Sequence, residues 1–109
     1  MFNMFCDDVE KFPNKKAAWV IGEQALRSIG SISANIAEGY GSQSSKELVR
    51  FLLISRRENS ESLNWLIKCK ERKFITEEEF REYEDLCEEI RKMINSLASK
   101  IRKRENEKI

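Results

Sequence analysis

Two stripes of opposite polarity run side by side through residues 24–41 and constrain what this chain can fold into. Polar side chains recur there at intervals of 4, 3, 4 and 3 residues, and apolar side chains begin the same series one residue later. The polar stripe is Gln24, Ser28, Ser31, Asn35 and Glu38, and the apolar stripe is Ala25, Ile29, Ile32 and Ile36. A helix that buries the apolar stripe takes polar groups inside with it, and these cost free energy unless they are hydrogen-bonded. The pattern therefore predicts a polar seam with partners on a neighbouring helix.

The partners are expected in residues 55–62, which contain no apolar side chain although apolar positions continue on both sides. At helical spacing, the polar residues of this stretch point toward the core, where we predict that they meet Arg27, Ser31 and Asn35. Asn59 is one of these core-facing residues. The full predicted polar seam is Gln24, Arg27, Ser28, Ser31, Asn35, Glu38, Ser55, Glu58, Glu61 and Ser62.

The positions of helix-breaking and capping residues predict one all-α domain over residues 1–109. A single proline and four glycines leave few breaks in a chain of 109 residues, which is about the size of one core. Asn14 is predicted to cap the second helix, and Gly39 and Gly41 to end it in the left-handed conformation. Ser44 and Thr76 each begin a capping-box sequence. The predicted helices cover about residues 2–12, 14–39, 45–73 and 76–104.

The last of these helices carries an apolar series with strict alternation of 3- and 4-residue intervals, which is typical of a bundle seam. Its members are Phe80, Tyr83, Cys87, Ile90, Ile94, Leu97 and Ile101. Short connections make consecutive helices antiparallel, so we predict an antiparallel up-down four-helix bundle with a short first helix. The third helix has a much wider apolar arc than one small bundle covers, and we therefore predict a homo-oligomer.

Two linked motifs resemble the family of 23S rRNA-intervening-sequence proteins, which includes the accessory variability protein of diversity-generating retroelements. The first is the family's SI..NIAEG core, carried here by Gln24, Arg27, Ser28, Ser31, Ile32, Ala34, Asn35, Ile36, Ala37, Glu38 and Gly39. The second resembles the IS..KEA.ES.YWL block of one branch, at Ile54, Ser55, Glu58, Glu61, Ser62, Trp65 and Leu66. The resemblance implies a four-helix bundle that assembles into a homopentamer. For the retroelement member it also implies binding to a reverse transcriptase and to nucleic acid.

The residue content excludes most catalytic and metal sites. The chain has no histidine, so it cannot form a Ser-His-Asp triad or a histidine-ligated metal centre. One alternative is a Mg²⁺-dependent nucleotide hydrolase with Glu38, Glu58 and Glu61 as metal ligands. However, Arg27 and Arg57 are expected close enough to these carboxylates to neutralise them as structural ion pairs. We expect no enzyme activity, no catalytic residues, no metal and no cofactor.

Location and charge give further expectations. Three cysteines without CxxC spacing are typical of reduced thiols, and no apolar run approaches the roughly 20 residues of a membrane span, so we expect a soluble, cytoplasmic protein without membrane contact. The net charge is +1, so any polyanion site must be a local basic patch. The candidates for nucleic-acid binding are Arg50, Arg57, Lys68, Lys70, Arg72, Lys73, Lys100, Arg102, Lys103 and Arg104.

These features favour a non-enzymatic oligomeric scaffold that binds RNA, DNA or a nucleic-acid enzyme such as a reverse transcriptase through a basic surface. The first alternative is a protein-only assembly module, in which the basic residues form a solvated face or complement helix C-termini. Because no aromatic residue alternates with the basic ones, any nucleic-acid contact should be to the backbone and independent of base sequence.

Overall fold

The computed structural model describes residues 1–108, which form four α-helices and no strand. The helices are α1 (Phe2–Val9), α2 (Lys16–Tyr40), α3 (Ser45–Glu71) and α4 (Glu77–Glu107). The prediction of an all-α helical bundle with a short first helix is confirmed. No helix within residues 1–108 is both long enough and apolar enough to cross a lipid bilayer.

The helix α3 is the central element, because it packs along α2 on one side and along α4 on the other. Two apolar clusters fill these interfaces. The larger joins all four helices and consists of Phe5, Ala25, Ile29, Leu66, Cys69, Ile75, Phe80, Tyr83 and Cys87. The smaller lies toward the other end and consists of Val49, Leu52, Ile94 and Ala98. The apolar series of α4 faces these clusters, as its spacing predicts, with Ile90, Leu97 and Ile101 packed at the edge of the smaller one.

Only part of the wide apolar arc of α3 is covered within the chain, so the predicted oligomer stays a prediction. The partly exposed apolar side chains of α3 are Leu48, Phe51, Leu53, Ile54, Leu63, Trp65 and Ile67. Among the described residues, the exposed large apolar side chains lie on α1, α2 and α4 and none lies on α3. They are Phe2, Trp19, Val20, Tyr40 and Met93. The reason is the central position of α3, since a helix with neighbours on two sides buries a wider sector than a peripheral one.

Several helix ends differ from the predictions. Lys15, not Asn14, is the N-cap of α2, and its side chain makes no capping hydrogen bond. Gly39 lies inside α2 and Gly41 follows it with φ −83°, so neither adopts the left-handed conformation. That conformation occurs at Lys73, with φ 62°.

The end of α3 at Lys73 has the hydrogen bonds of a Schellman motif. The amide of Phe74 donates to the carbonyl of Cys69 at 2.8 Å, and the amide of Lys73 donates to the carbonyl of Lys70 at 2.9 Å. The sequence gives no sign of this because lysine stands where glycine is usual.

The two predicted capping boxes form to different extents. At the start of α4 the box is complete: the Thr76 hydroxyl accepts from the Glu79 amide at 3.0 Å, and the Glu79 carboxylate accepts from the Thr76 amide at 2.8 Å. This backbone hydrogen bond lowers the pKa of Glu79. At the start of α3, the Ser44 hydroxyl accepts from the Glu47 amide at 3.1 Å, but the Glu47 carboxylate turns to Arg50 instead.

The three cysteines are free thiols, and two of them belong to the core. Cys69 and Cys87 are buried, while Cys6 is partly exposed. Burial raises the pKa of Cys69 to about 12 and that of Cys87 to about 11, so both stay protonated near neutral pH. These thiols therefore act as small apolar core groups.

Candidate functional site

The polar seam between α2 and α3 contains a chain of buried hydroxyl groups. The Ser62 hydroxyl donates to the Ser28 hydroxyl at 3.0 Å, and Ser28 donates to the carbonyl of Ala25 at 3.1 Å. Two helical turns before Ser62 on α3, the Ser55 hydroxyl donates to the carbonyl of Ile32 on α2 at 2.8 Å. All three serines are fully buried, so these bonds replace those lost to water. They fix the register in which α2 and α3 pack.

At the rim of the seam, one arginine connects two carboxylates of α3. Arg27 contacts Glu61 at 2.8 Å and Glu58 at 3.7 Å, and its Nε donates to Gln24 at 3.4 Å. Glu58 is the more buried carboxylate, with 13% of its side chain exposed. The positive charge of Arg27 therefore offsets two acidic groups at the edge of the core.

Four predicted seam residues, Gln24 among them, make no hydrogen bond to α3. The Ser31 hydroxyl donates to the carbonyl of Arg27 at 2.9 Å, and the Asn35 amide donates to the carbonyl of Ser31 at 2.8 Å. Both bonds stay within α2, because short polar side chains can bond to the carbonyl one turn back. Glu38 is exposed. The predicted contacts of Ser31 and Asn35 with α3 are therefore wrong.

Asn59 supplies a polar link to the opposite neighbour of α3. Its Nδ2 donates to the carbonyl of Cys87 on α4 at 2.8 Å. The seam therefore uses α3 residues on both sides of that helix. Within residues 1–108, no group of three or more Cys, Asp and Glu side chains lies close enough to hold a metal ion.

The basic candidates fall into groups at opposite ends of a molecule that is 56 Å long. Lys68, Lys70, Arg72 and Lys73 lie at the end of α3, directly before the acidic start of α4. There the Lys70 ammonium lies 4.5 Å from the Phe80 ring centroid, and Lys68 lies 5.5 Å from that of Trp65. Lys100, Arg102, Lys103 and Arg104 lie at the end of α4, which is beside the start of α3.

The charge of α4 changes sign along its length. Residues 77–89 contain eight acidic side chains and one basic one, whereas residues 91–108 contain seven basic side chains and two acidic ones. Acidic residues favour the N-terminal turn of a helix and basic residues the C-terminal turn, but the helix dipole acts only over those turns. This segregation extends further and produces a basic half and an acidic half within a nearly neutral chain.

In the basic half, a surface groove runs between α3 and α4, and we call it the basic groove. Its floor includes Leu53 and Ala98, and Arg56 donates across it to Asn95 Oδ1 at 2.7 Å. Asn95 is neutral, so this hydrogen bond does not offset the positive charge of Arg56. The groove is lined by Leu53, Arg56, Arg57, Ser60, Arg91, Asn95, Ala98, Ser99, Arg102, Lys103, Asn106 and Glu107.

The groove contains both predicted and unpredicted residues. Arg57, Arg102 and Lys103 were candidates from the sequence, whereas Arg56 and Asn95 were not. A third unpredicted residue, Arg91, is paired with Glu88 at 2.5 Å. The spacing of positions 91, 95, 98 and 102 at intervals of 4, 3 and 4 was the signal that would have placed them on one face.

The remaining candidates lie outside this lining. Arg50 borders an adjacent concavity with Arg102, but it pairs with Glu47 at 3.1 Å and lies over the Phe51 ring. Its hydrogen bonds lower the pKa of Glu47. Lys100 and Arg104 are exposed on α4.

Comparisons with known proteins give one family. A search of curated proteins gave no match. A solved structure from Bacteroides thetaiotaomicron, described as a protein of unknown function from the S23 ribosomal protein family, is similar, with a TM-score of 0.81 and 28% identity. The match covers 89% of this chain and 90% of that one. The family model for 23S rRNA-intervening sequence proteins matches residues 3–96. This confirms the resemblance of the two motifs, and the chain belongs to the 23S rRNA-intervening sequence protein family.

Proposed function

We propose that the protein is a non-enzymatic scaffold whose basic groove binds the phosphate backbone of RNA or DNA. The observation that carries the proposal is the set of basic side chains along one groove without carboxylate partners. Arg56, Arg57, Arg102 and Lys103 make no ion pair within residues 1–108. Unpaired guanidinium groups aligned in a groove suit phosphate, because each can donate two hydrogen bonds to it.

The lining of the groove also indicates which part of a nucleic acid it would recognise. It contains no aromatic side chain on which a base could stack. Affinity would then come from neutralised phosphates, with little dependence on base sequence. A nucleic-acid enzyme bound to the same polynucleotide, such as the reverse transcriptase implied by the resemblance, would be brought to the scaffold through it.

The proposal predicts salt-sensitive binding that depends on the groove. We expect labelled structured RNA and duplex DNA to bind at low salt, with a linear decrease of log affinity against log salt. Arg56→Gln with Arg102→Gln should weaken binding about 30-fold, at about 1 kcal/mol for each phosphate contact, and reduce the salt slope by about two. Fluorescence anisotropy across a salt series measures both quantities.

A matched control removes two basic side chains from the other end of the molecule. Lys68→Gln with Arg72→Gln changes the net charge by the same amount but leaves the groove intact. We expect its affinity to stay within about threefold of wild type, since those residues lie beyond the screening length of about 8 Å from the groove. No binding at low salt, or an equal loss in both double variants, would contradict the groove proposal.

We also propose that copies of the chain associate through an apolar surface formed by α1 and α2, in keeping with the homopentamer implied by the resemblance. The supporting observation is the exposure of Trp19 and Phe2, at 69% and 42%. They border two concavities that share Glu23 and Leu26. Large apolar side chains exposed next to a concavity are typical of protein interfaces. A protein-only assembly module, the alternative function, would need this surface alone.

Assembly through this surface predicts a mass above 12.8 kDa that persists at about 300 mM salt, where contacts between charged surfaces are screened but apolar contacts are not. Trp19→Ala should shift the mass measured by light scattering toward the monomer, because aromatic residues dominate such interfaces. Met93→Ala removes an apolar side chain of similar exposure on α4 and should leave the mass unchanged. A monomeric wild-type protein, or identical behaviour of the two variants, would overturn the assignment of this surface.

A further inference from the structure

We propose that the acidic half of α4 from a second copy occupies the basic groove when no nucleic acid is bound. This inference rests on the proposed function, because it concerns how access to the same groove is regulated. Polynucleotide and self-association would then compete for one set of basic side chains. The groove would bind a polynucleotide most readily where the polynucleotide is in excess over the protein.

The proposed occupant is a row of acidic side chains on α4, which we call the acid row. It consists of Glu78, Glu82, Asp85 and Glu89, at intervals of 4, 3 and 4 residues. All four are exposed, and none forms an ion pair with any other part of the described chain. The buried residues Phe80, Tyr83 and Cys87 alternate with them, so the acid row faces away from the core.

The acid row and the basic groove match in length as well as in charge. In the acid row Glu89 is 11 positions after Glu78, and in the α4 wall of the groove Arg102 is 11 positions after Arg91. At 1.5 Å per residue, both cover about 16 Å. An acidic helix face laid over the groove could therefore bring carboxylates to Arg56, Arg57 and Arg102, and the lining also contains the apolar side chains of Leu53 and Ala98.

The pairing cannot form within one chain. Asp85 and Arg102 are 17 residues apart on the same straight helix, which is about 25 Å. Charges at that distance are screened at physiological ionic strength, where the Debye length is about 8 Å. Only another copy can bring the acid row to the groove. Such a contact leaves one groove and one acid row free, so it can propagate from copy to copy.

The test is light scattering on the full chain without nucleic acid. We expect the weight-average mass to increase with protein concentration at about 20 mM salt and to lose this dependence at about 300 mM salt. Glu82→Lys with Asp85→Lys should abolish the salt-sensitive growth, and so should Arg56→Glu with Arg102→Glu. An equimolar mixture of these two double variants should restore it, because each then supplies the charge that the other lacks.

A control variant separates specific pairing from net charge. Glu10→Lys with Glu38→Lys makes the same charge change as the acid-row variant, at exposed positions outside both surfaces. It should keep the salt-sensitive growth. A wild-type mass that does not depend on salt, or a mixture that stays dispersed, would overturn the inference.

The two proposals fail separately. Fluorescence anisotropy of labelled nucleic acid, measured at protein concentrations too low for self-association, tests the groove as a polyanion site on its own. If duplex DNA binds there, its addition at low salt should disperse the growing species, and persistence of those species would overturn the competition. If DNA does not bind at all, the proposed function is lost, and with it the competition.

Discussion

We expect Phe5→Ala to lower the free energy of unfolding by about 3–5 kcal/mol, which is a large fraction of the 5–15 kcal/mol typical of a small domain. Phe5 is fully buried and is the one core residue that α1 contributes. Its ring lies 5.8 Å from that of Tyr83 on α4 and 6.0 Å from that of Phe12, both in edge-to-face geometry. Removing it leaves a cavity where α1, α2 and α4 meet.

A polar contact beside Phe5 also links α1 to α4. The Tyr83 hydroxyl donates to the Asp8 carboxylate at 2.5 Å, and burial together with this carboxylate raises the pKa of Tyr83. A single hydrogen bond of this kind contributes about 1–3 kcal/mol, which is less than the loss from the cavity. We therefore expect the hydrogen bond alone not to hold α1 in place.

Phe2→Ala is the matched control, since it makes the same change in the same helix at a half-exposed position. It should cost about 1 kcal/mol or less. Urea denaturation followed by circular dichroism measures both variants, and hydrogen exchange of α1 shows whether Phe5→Ala unfolds α1 alone before the rest. Equal losses for the two variants would mean that α1 adds little to the core.

Much of the fold could be predicted because its signals are local. The capping box at Thr76 and Glu79 involves residues three positions apart, and it forms as written. The apolar series of α4 depends only on helical period, and its members line the two clusters. The up-down topology already separates the ends of α3 and α4, so the division of the basic residues follows from the predicted fold.

The cover of α3 and the partners of the polar residues could not be predicted. They depend on which helices pack together, and the spacing of residues within one helix does not show this. The apolar arc of α3 indicates that much of its surface is covered, but it does not distinguish a second chain from neighbours on two sides. Asn35 and Asn59 are both polar residues on apolar helix faces. One bonds within its own helix and the other reaches α4, and the choice depends on whether a carbonyl of another helix lies within reach.

The glycines show the same difficulty, and they give the second large prediction. We expect Gly39→Val to lower the free energy of unfolding by about 3 kcal/mol, because overpacking at a close helix contact forces the backbones apart. A Cβ atom at Gly39 would lie 3.0 Å from both Leu48 Cδ1 and Phe51 Cβ, and 3.4 Å from the Leu48 carbonyl oxygen. Phe51 Cβ is attached directly to the α3 backbone, so it cannot rotate away as the end of a side chain can.

Gly41→Val is the control, two residues further along the chain. A Cβ there would meet only the carbonyl oxygens of Ala37 and Glu38, at 3.6 Å, and φ is −83°. We expect a change within about 0.5 kcal/mol. The sequence predicts one role for both glycines, namely a left-handed helix end, whereas the geometry requires glycine only at Gly39 and for a different reason. Thermal and urea denaturation of both variants measure the difference, and equal stabilities would show that α2 and α3 tolerate a wider separation at this crossing.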